Sequence, residues 1–479
     1  MREHKTRHQS RCDNLFFRMA AVAILLVLCG CAVKRPPDTA RVLRDSLPPS
    51  TTIPEAWTTR SSSAVVEAAW IKTFDDPQLE ALVAEALQNN LYLQVAATRV
   101  DVAANIVTQA HSQLLPWIGA TGSASYLGRY GQKNARGKDK GRFNASNLLA
   151  AISWEVDLWG RMLSQTAAAR QQLAATEADV QFARQSLAAM VAKTWYLASY
   201  TQGLQKLALR NVELKQQHLD LSRVKLNVGA AQDQEVNMAA ADLATAYSQL
   251  AQISSTHQQV LRGMEVLLGC YPAAELKVAT TLAALPPPVP AGLPAQLLER
   301  RPDVIAAERD FDAAFHLVQT AKAARWPSIS LTSGAGYMTN DITQMLGLRP
   351  WVWTAGANIA APLYTGGFLK SQVKIANADQ KAALALYGQT VLQAFSEVEV
   401  ALTNERFLRE EQQQLAAALN DAEEVYRLEN VKYDVGQVDL QPIIQLEGVL
   451  LGAKAANMQA QYELLINRIN LHLALGGSF

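Results

Sequence analysis

The apolar positions between Arg161 and Val228 repeat at helical spacing with no proline to interrupt them. Leu207, Leu214, Leu221 and Val228 form one seven-residue series, and Val212, Leu219 and Leu226 form a second. A turn of 3.6 residues separates the two series around the helix, so the segment meets neighbours on two sides. A dimeric coiled coil needs one seam; two seams suit a helix standing in a cylindrical wall, with a coiled-coil rod as the alternative. Alanine, glutamine, leucine and charged residues favour unbroken helix, and Gly203 is the only interior breaker. At about 1.5 Å per residue the helix reaches roughly 100 Å, wider than a compact globular domain.

Proline placement organises the rest. None lies between Pro116 and Pro272 or between Pro362 and Pro442, whereas Pro286, Pro287, Pro288, Pro290 and Pro294 crowd one linker. The halves on either side repeat each other. Leu115-Pro116-Trp117, followed by small residues and Tyr126, returns as Trp326-Pro327-Ser328, followed by small residues and Tyr337. Val228-Gly229 returns as Val435-Gly436, and Leu268-Gly269 as Leu475-Gly476. Each half reads helix, two strands, very long helix, turn, long helix. The strands are expected over Trp117 to Tyr130, Phe143 to Trp159, Trp326 to Met338 and Trp351 to Tyr364, with Arg129 to Arg142 as a basic loop. Trp154, Trp159, Trp351 and Trp353 suit the aromatic girdles of a membrane barrel. Four strands are too few to close a barrel in lipid, so oligomerisation must complete it.

Charge and composition narrow the function. The 44 lysines and arginines nearly cancel 43 aspartates and glutamates, which argues against a nucleic-acid partner. From Lys34 onward no apolar run approaches the roughly 20 residues of a spanning helix. Residues 1–30 read as a signal peptide, with a basic stretch from Arg2 to Arg18 and an apolar stretch from Met19 to Leu28. Val27-Leu28-Cys29-Gly30-Cys31 resembles a bacterial lipobox, which makes Cys31 the lipidated residue. Ala32, in place of aspartate, implies release to the outer membrane. Cys12 and Cys29 leave with the signal, so Cys270 is the one remaining thiol and is expected to be a packed small hydrophobe. No disulfide or cysteine metal site is available to the mature chain. The histidines are scattered, with His218 and His257 expected at helix surfaces, and no hydrolase or phosphate-binding motif occurs, so neither catalysis nor a cofactor is expected.

Several motifs carry a family resemblance across nearly the whole mature chain. Trp70, Phe74-Asp75-Asp76-Pro77-Gln78-Leu79 and Ala86-Leu87-Gln88-Asn89-Asn90-Leu91 form an opening helix in which Asp76 can cap and Pro77 take the first position. Asp157-Leu158-Trp159-Gly160-Arg161 marks a strand-to-helix junction. Leu297-Leu298-Glu299-Arg300-Arg301-Pro302-Asp303-Val304 opens the second half, with Asp303 favoured by the helix dipole. Together these resemble the TolC-like outer membrane factors, in their NodT-type lipoprotein subgroup.

The resemblance implies a mainly α chain with a small transmembrane β part. It implies a homotrimer whose twelve-strand outer-membrane β-barrel continues into a twelve-helix periplasmic α-barrel. It implies a periplasmic adaptor and a proton-driven inner-membrane pump as partners, outer-membrane lipid around the barrel, and passive conduction of small toxic compounds or drugs. Protein secretion through the same architecture and a non-pore coiled-coil scaffold are the competing readings. The expected organisation is signal peptide 1–30, anchored segment 31–69, first repeat 70–270, linker 271–296 and second repeat 297–479. The turns at Val228-Gly229 and Val435-Gly436 are the expected adaptor contacts. Asp233 and Asp439 are the candidates for the periplasmic aperture, Asp439 being equally readable as a helix cap. Pro442 and Gln445 stand where some relatives carry aspartates, which adds Gln445 to the aperture candidates.

Overall fold

The computed structural model describes residues 33–58, 70–128, 142–279, 282–292, 294–339 and 351–477. The signal peptide, Cys31 and the loop between the first two strands lie outside them. The elements run α1 (Thr39–Ser46), a 3-10 turn (Trp70–Phe74), α2 (Pro77–Asn89), α3 (Leu91–Ser112), β1 (Trp117–Gly128), β2 (Arg142–Val156), α4 (Arg161–Asn227) and α5 (Asp233–Leu268). The second half gives α6 (Pro294–Arg300), α7 (Pro302–Ala323), β3 (Ser328–Thr339), β4 (Trp351–Ala360), α8 (Phe368–Asp434) and α9 (Leu440–Ala474). The internal repeat is structural as well as sequential: α3 and α7 each have 22 residues, and α4 and α8 each have 67. Gly203 does not break α4, because an interior glycine costs only about 1 kcal/mol against the packing of so long a helix.

The chain divides into two compact units, each drawing on both halves. One contains the described part of Met1–Leu47 with Val100–Thr176 and Ala307–Tyr387; the other contains Pro48–Arg99, Glu177–Ala306 and Gly388–Phe479.

In the first unit the strands form one antiparallel sheet in the order β1-β2-β3-β4. Toward the helix-side end, register separates a mainly apolar face from a mainly polar one. Trp154 pairs with Leu331, Val156 with Ile329, and Ile329 in turn with Ile359, all on one apolar face. Ser153 pairs with Thr332, Glu155 with Ser330, and Ser330 with Asn358 on the polar face. This period-two segregation is what a strand between lipid and water requires. Trp117 and Trp154 lie at the helix-side end of the sheet, and Trp351 and Trp353 lie toward the other end. Trp159 lies beyond β2, where its indole donates to the Pro327 carbonyl at 2.7 Å and stacks on Trp326. The strand stops early because Asp157 turns to accept the Leu163 amide at 2.8 Å, starting α4. In the same unit Asp38 caps α1, Val42 is buried, and the Thr39 hydroxyl donates to Glu308 on α7.

The core of the second unit packs Trp70, Phe74, Leu79 and Val83 against Val191, Trp195 and Tyr196 of α4, Met264 of α5 and Ile469 of α9. Asp76 caps α2 as expected, accepting from Gln78 and Leu79, while its other oxygen accepts from the Trp195 indole. Arg468 is fully buried and fastens the proline-rich linker through the carbonyls of Pro286 and Pro287, with Glu405 as its counter-ion. Burial pushes the Glu405 carboxyl up, but hydrogen bonds and charge from Arg468 and Arg409 outweigh it and hold the group below its usual range.

Two local expectations are corrected here. His257 is buried, its Nδ1 2.9 Å from the Thr201 hydroxyl, because α5 turns that face toward α4. Cys270 is exposed rather than packed, since it follows the end of α5, with its sulfur 3.7 Å from a Glu85 oxygen.

Candidate functional site

The two long helices end in the same way. After α4, the Gly229 amide donates to Leu226 and the Ala230 amide to Lys225, at 3.0 and 2.7 Å. After α8, the Gly436 amide donates to Tyr433 and the Gln437 amide to Lys432, at 2.9 and 2.8 Å. Both are Schellman turns, and both glycines hold positive φ, 75° and 73°. Open space surrounds each, so the glycine serves the backbone angle and not a close approach. Val228 and Val435, immediately before the glycines, are 73% and 65% exposed, apolar tips with no partner in the core.

The acids beside the turns hold different positions. Asp233 is the first residue of α5, whereas Asp439 is the N-cap of α9. Asp439 makes no capping hydrogen bond, so its exposed carboxylate is not spent on its own helix. Gln445 is exposed one turn further along α9, and Pro442 sits within the first turn, where the missing amide costs no helical bond.

The tertiary structure adds residues that the sequence reading did not single out. Lys225, in the last turn of α4, donates to Gln441 of α9 at 2.6 Å. Arg210 of α4 pairs with Glu447 of α9 at 2.5 Å and with Glu213 at 2.9 Å. Tyr426 of α8 donates to the second Glu447 oxygen at 3.3 Å. Hydrogen bonds to Glu447 and then Glu213 raise the Arg210 guanidinium above its already high range, so it stays charged at any accessible pH. Glu447 thus ties the first helical hairpin to the second, a link between residues 237 apart. Local sequence carries no signal for such a pair.

Among the described residues no cluster of histidine, cysteine and carboxylate could hold a metal ion, and no helix is long and apolar enough to cross a membrane.

Residues 82–270 and 293–477 match the family model described as outer membrane efflux protein. The chain belongs to the outer membrane efflux protein family. The two matched segments correspond to its two repeats. The chain is similar to the probable efflux pump outer membrane protein TtgC of Pseudomonas putida, at 29% identity over 87% of this chain and 86% of the relative. It is also similar to nodulation protein T of Rhizobium leguminosarum bv. viciae, at 27% identity over 97% and 94% of the two chains. Its fold matches the solved outer-membrane channel OprN with a TM-score of 0.78 and 27% identity, covering 90% of this chain and 99% of that one. This outer membrane efflux protein therefore has the channel fold expected from its sequence: mainly α, with a small membrane sheet. Its place is the outer membrane, and its work is efflux.

Proposed function

We propose that this chain is the exit duct of a tripartite efflux system, a homotrimer that conducts small toxic compounds or drugs passively and performs no chemistry on them. Each chain contributes a sheet with two unpaired edges, β1 and β4, and three such sheets would close a twelve-strand barrel. The long helices then form a twelve-helix periplasmic tunnel, which a periplasmic adaptor and a proton-driven inner-membrane pump supply. In this reading residues 1–30 are a signal peptide, 31–69 an anchored segment joined to lipid through Cys31, 70–270 and 297–479 the repeats, and 271–296 the linker.

The observation that carries the proposal is the matched pair of turns. Val228-Gly229 and Val435-Gly436 offer exposed apolar tips to the adaptor. Asp233 and Asp439 offer exposed carboxylates that trimeric symmetry multiplies into rings, with Gln445 beside them. Such rings favour cations, and physiological salt moderates the effect.

Planar-bilayer recording tests this. Asp439→Ala is expected to raise single-channel conductance or to reduce cation preference, whereas Glu55→Ala changes neither. If Asp439→Ala leaves both as in the parent, the aperture is not there.

A further inference from the structure

Among the described residues, the polar face of the sheet carries a single charged side chain. Register gives the sheet one face with Thr121, Ser123, Asn147, Ser153, Ser330, Thr332, Thr354 and Asn358, interspersed with Leu149 and Val352, opposite the apolar face that lipid requires. Small hydroxyl and amide groups of this kind do not sort ions by sign. The exception is Glu155, which pairs with Ser330 on the same polar face at the penultimate position of β2, just before the helices begin.

Arg161 compensates the Glu155 charge. The Arg161 guanidinium lies 2.9 Å from its carboxylate, with the two side chains 35% and 33% exposed. Arg161 opens α4, where the helix dipole disfavours a positive charge. A cation in that position needs an anion to hold it, and Glu155 supplies one. Asp157, the third ionisable group nearby, accepts the Leu163 amide, so its charge faces the amino end of α4. All three groups line an open cleft of about 590 Å³ with Trp159, Ser328 and Ala360. Ser328 and Ala360 are paired on the polar face, the face that carries Glu155.

We propose that Glu155 and Arg161 form, in each subunit, a charge-compensated ring at the helix-side mouth of the barrel, which keeps that part of the duct from selecting cargo by charge. The inference rests on the trimeric reading above. Removing Arg161 uncovers three carboxylates around one lumen and makes the mouth cation-selective. Removing Glu155 uncovers three guanidinium groups and has the opposite effect. The pair is therefore a specificity device in which each partner cancels the other, and it is separate from the acids at the helical turns.

Reversal potentials in planar bilayers under a KCl gradient test the proposal with intact, detergent-extracted protein whose assembly is checked by native mass spectrometry. Arg161→Gln is expected to raise the potassium-to-chloride permeability ratio by about twofold or more, and Glu155→Gln to lower it by a similar factor. The double variant returns to the parental ratio, an outcome that general loosening of the junction does not produce. The same shifts are expected in an Asp439→Ala background, which separates this ring from the proposed aperture. Unchanged ratios in both single variants overturn the proposal, as do shifts of the same sign. Should Arg161→Gln fail to assemble, Glu155→Gln decides alone: a ratio equal to the parent's overturns the proposal.

Discussion

Arg301 donates from Nη1 to the carbonyl of Ala474 at 3.2 Å, and Asn90 at the matching place in the first repeat donates to the carbonyl of Leu267 at 2.9 Å. Each side chain sits at the break between a short helix and the next one, and each reaches the last turn of the long helix that closes its own repeat. The geometry is shared although the residues are not. Asn90 also caps α3 through the Leu93 amide, whereas Arg301 grips Asp303 with two nitrogens and pairs with Glu397 of α8 at 2.7 Å. The second clasp therefore joins more helices than the first. Arg301→Ala leaves two carboxylates without their partner and is expected to cost about 3 kcal/mol. Asn90→Ala removes one neutral bond and a cap, and is expected to cost about 1–2 kcal/mol. Urea unfolding of the detergent-solubilised variants measures the difference, and equal midpoints contradict it.

Four of the glycines that end helices divide into two kinds. All hold positive φ, but a Cβ on Gly269 would lie 2.9 Å from the Asn89 carbonyl oxygen and one on Gly476 would lie 3.1 Å from that of Arg300, whereas Gly229 and Gly436 face open space. Alanine at Gly229 or Gly436 is expected to cost about 1–2 kcal/mol, the penalty of the left-handed backbone. Alanine at Gly269 is expected to cost more, because backbone atoms of the clasp must also move. Thermal unfolding of the four variants ranks them.

Two buried groups give stability opposite pH dependences. His472 stacks on Trp70 with ring centroids 5.4 Å apart, and neither ring nitrogen has a hydrogen-bond partner among the described residues. Burial, then the Arg468 charge, lowers its pKa from 6.5 to about 4. Its contribution is whole above pH 6.5 and is lost as the pH falls toward 4, because the unfolded chain takes the proton first. Asp312 behaves the other way. Burial, then Glu308, raises its pKa from 3.8 to about 6 against the pull of Arg309, so its contribution is whole below pH 3.8 and is lost as the pH rises to about 6. Each effect is on the order of 3 kcal/mol. His472→Phe is expected to make the protein less acid-sensitive between pH 6.5 and 4, whereas Asp312→Asn is expected to make it more acid-sensitive. Unfolding midpoints across that range check both signs.

Lipid on Cys31 is expected from the Gly30-Cys31 junction. Mass spectrometry of the mature amino terminus should show a diacylated cysteine, and an unmodified chain beginning elsewhere would refute it. Cys31→Ser is expected still to insert, because the strands themselves hold the protein in the membrane.

The sequence by itself determined the elements, the repeat and the positions of the turns. Those features rest on short-range physics. A proline-free stretch of strong helix formers propagates, and a left-handed glycine ends it. Asp76 capping α2 and the glycine turns at 229 and 436 were legible for that reason. Strand ends were less so: Trp159 belongs to the junction because Asp157 caps α4 in competition with the strand ladder. Only the tertiary structure decided which side chains meet across the chain. Glu447 finding Arg210, Arg301 finding Ala474, and His257 being buried while Cys270 is exposed all depend on which face of a long helix its neighbours cover. With two apolar stripes on one helix, spacing predicts that there are neighbours but not who they are. That choice is made by close packing between segments hundreds of residues apart, where volume and charge must fit together at once.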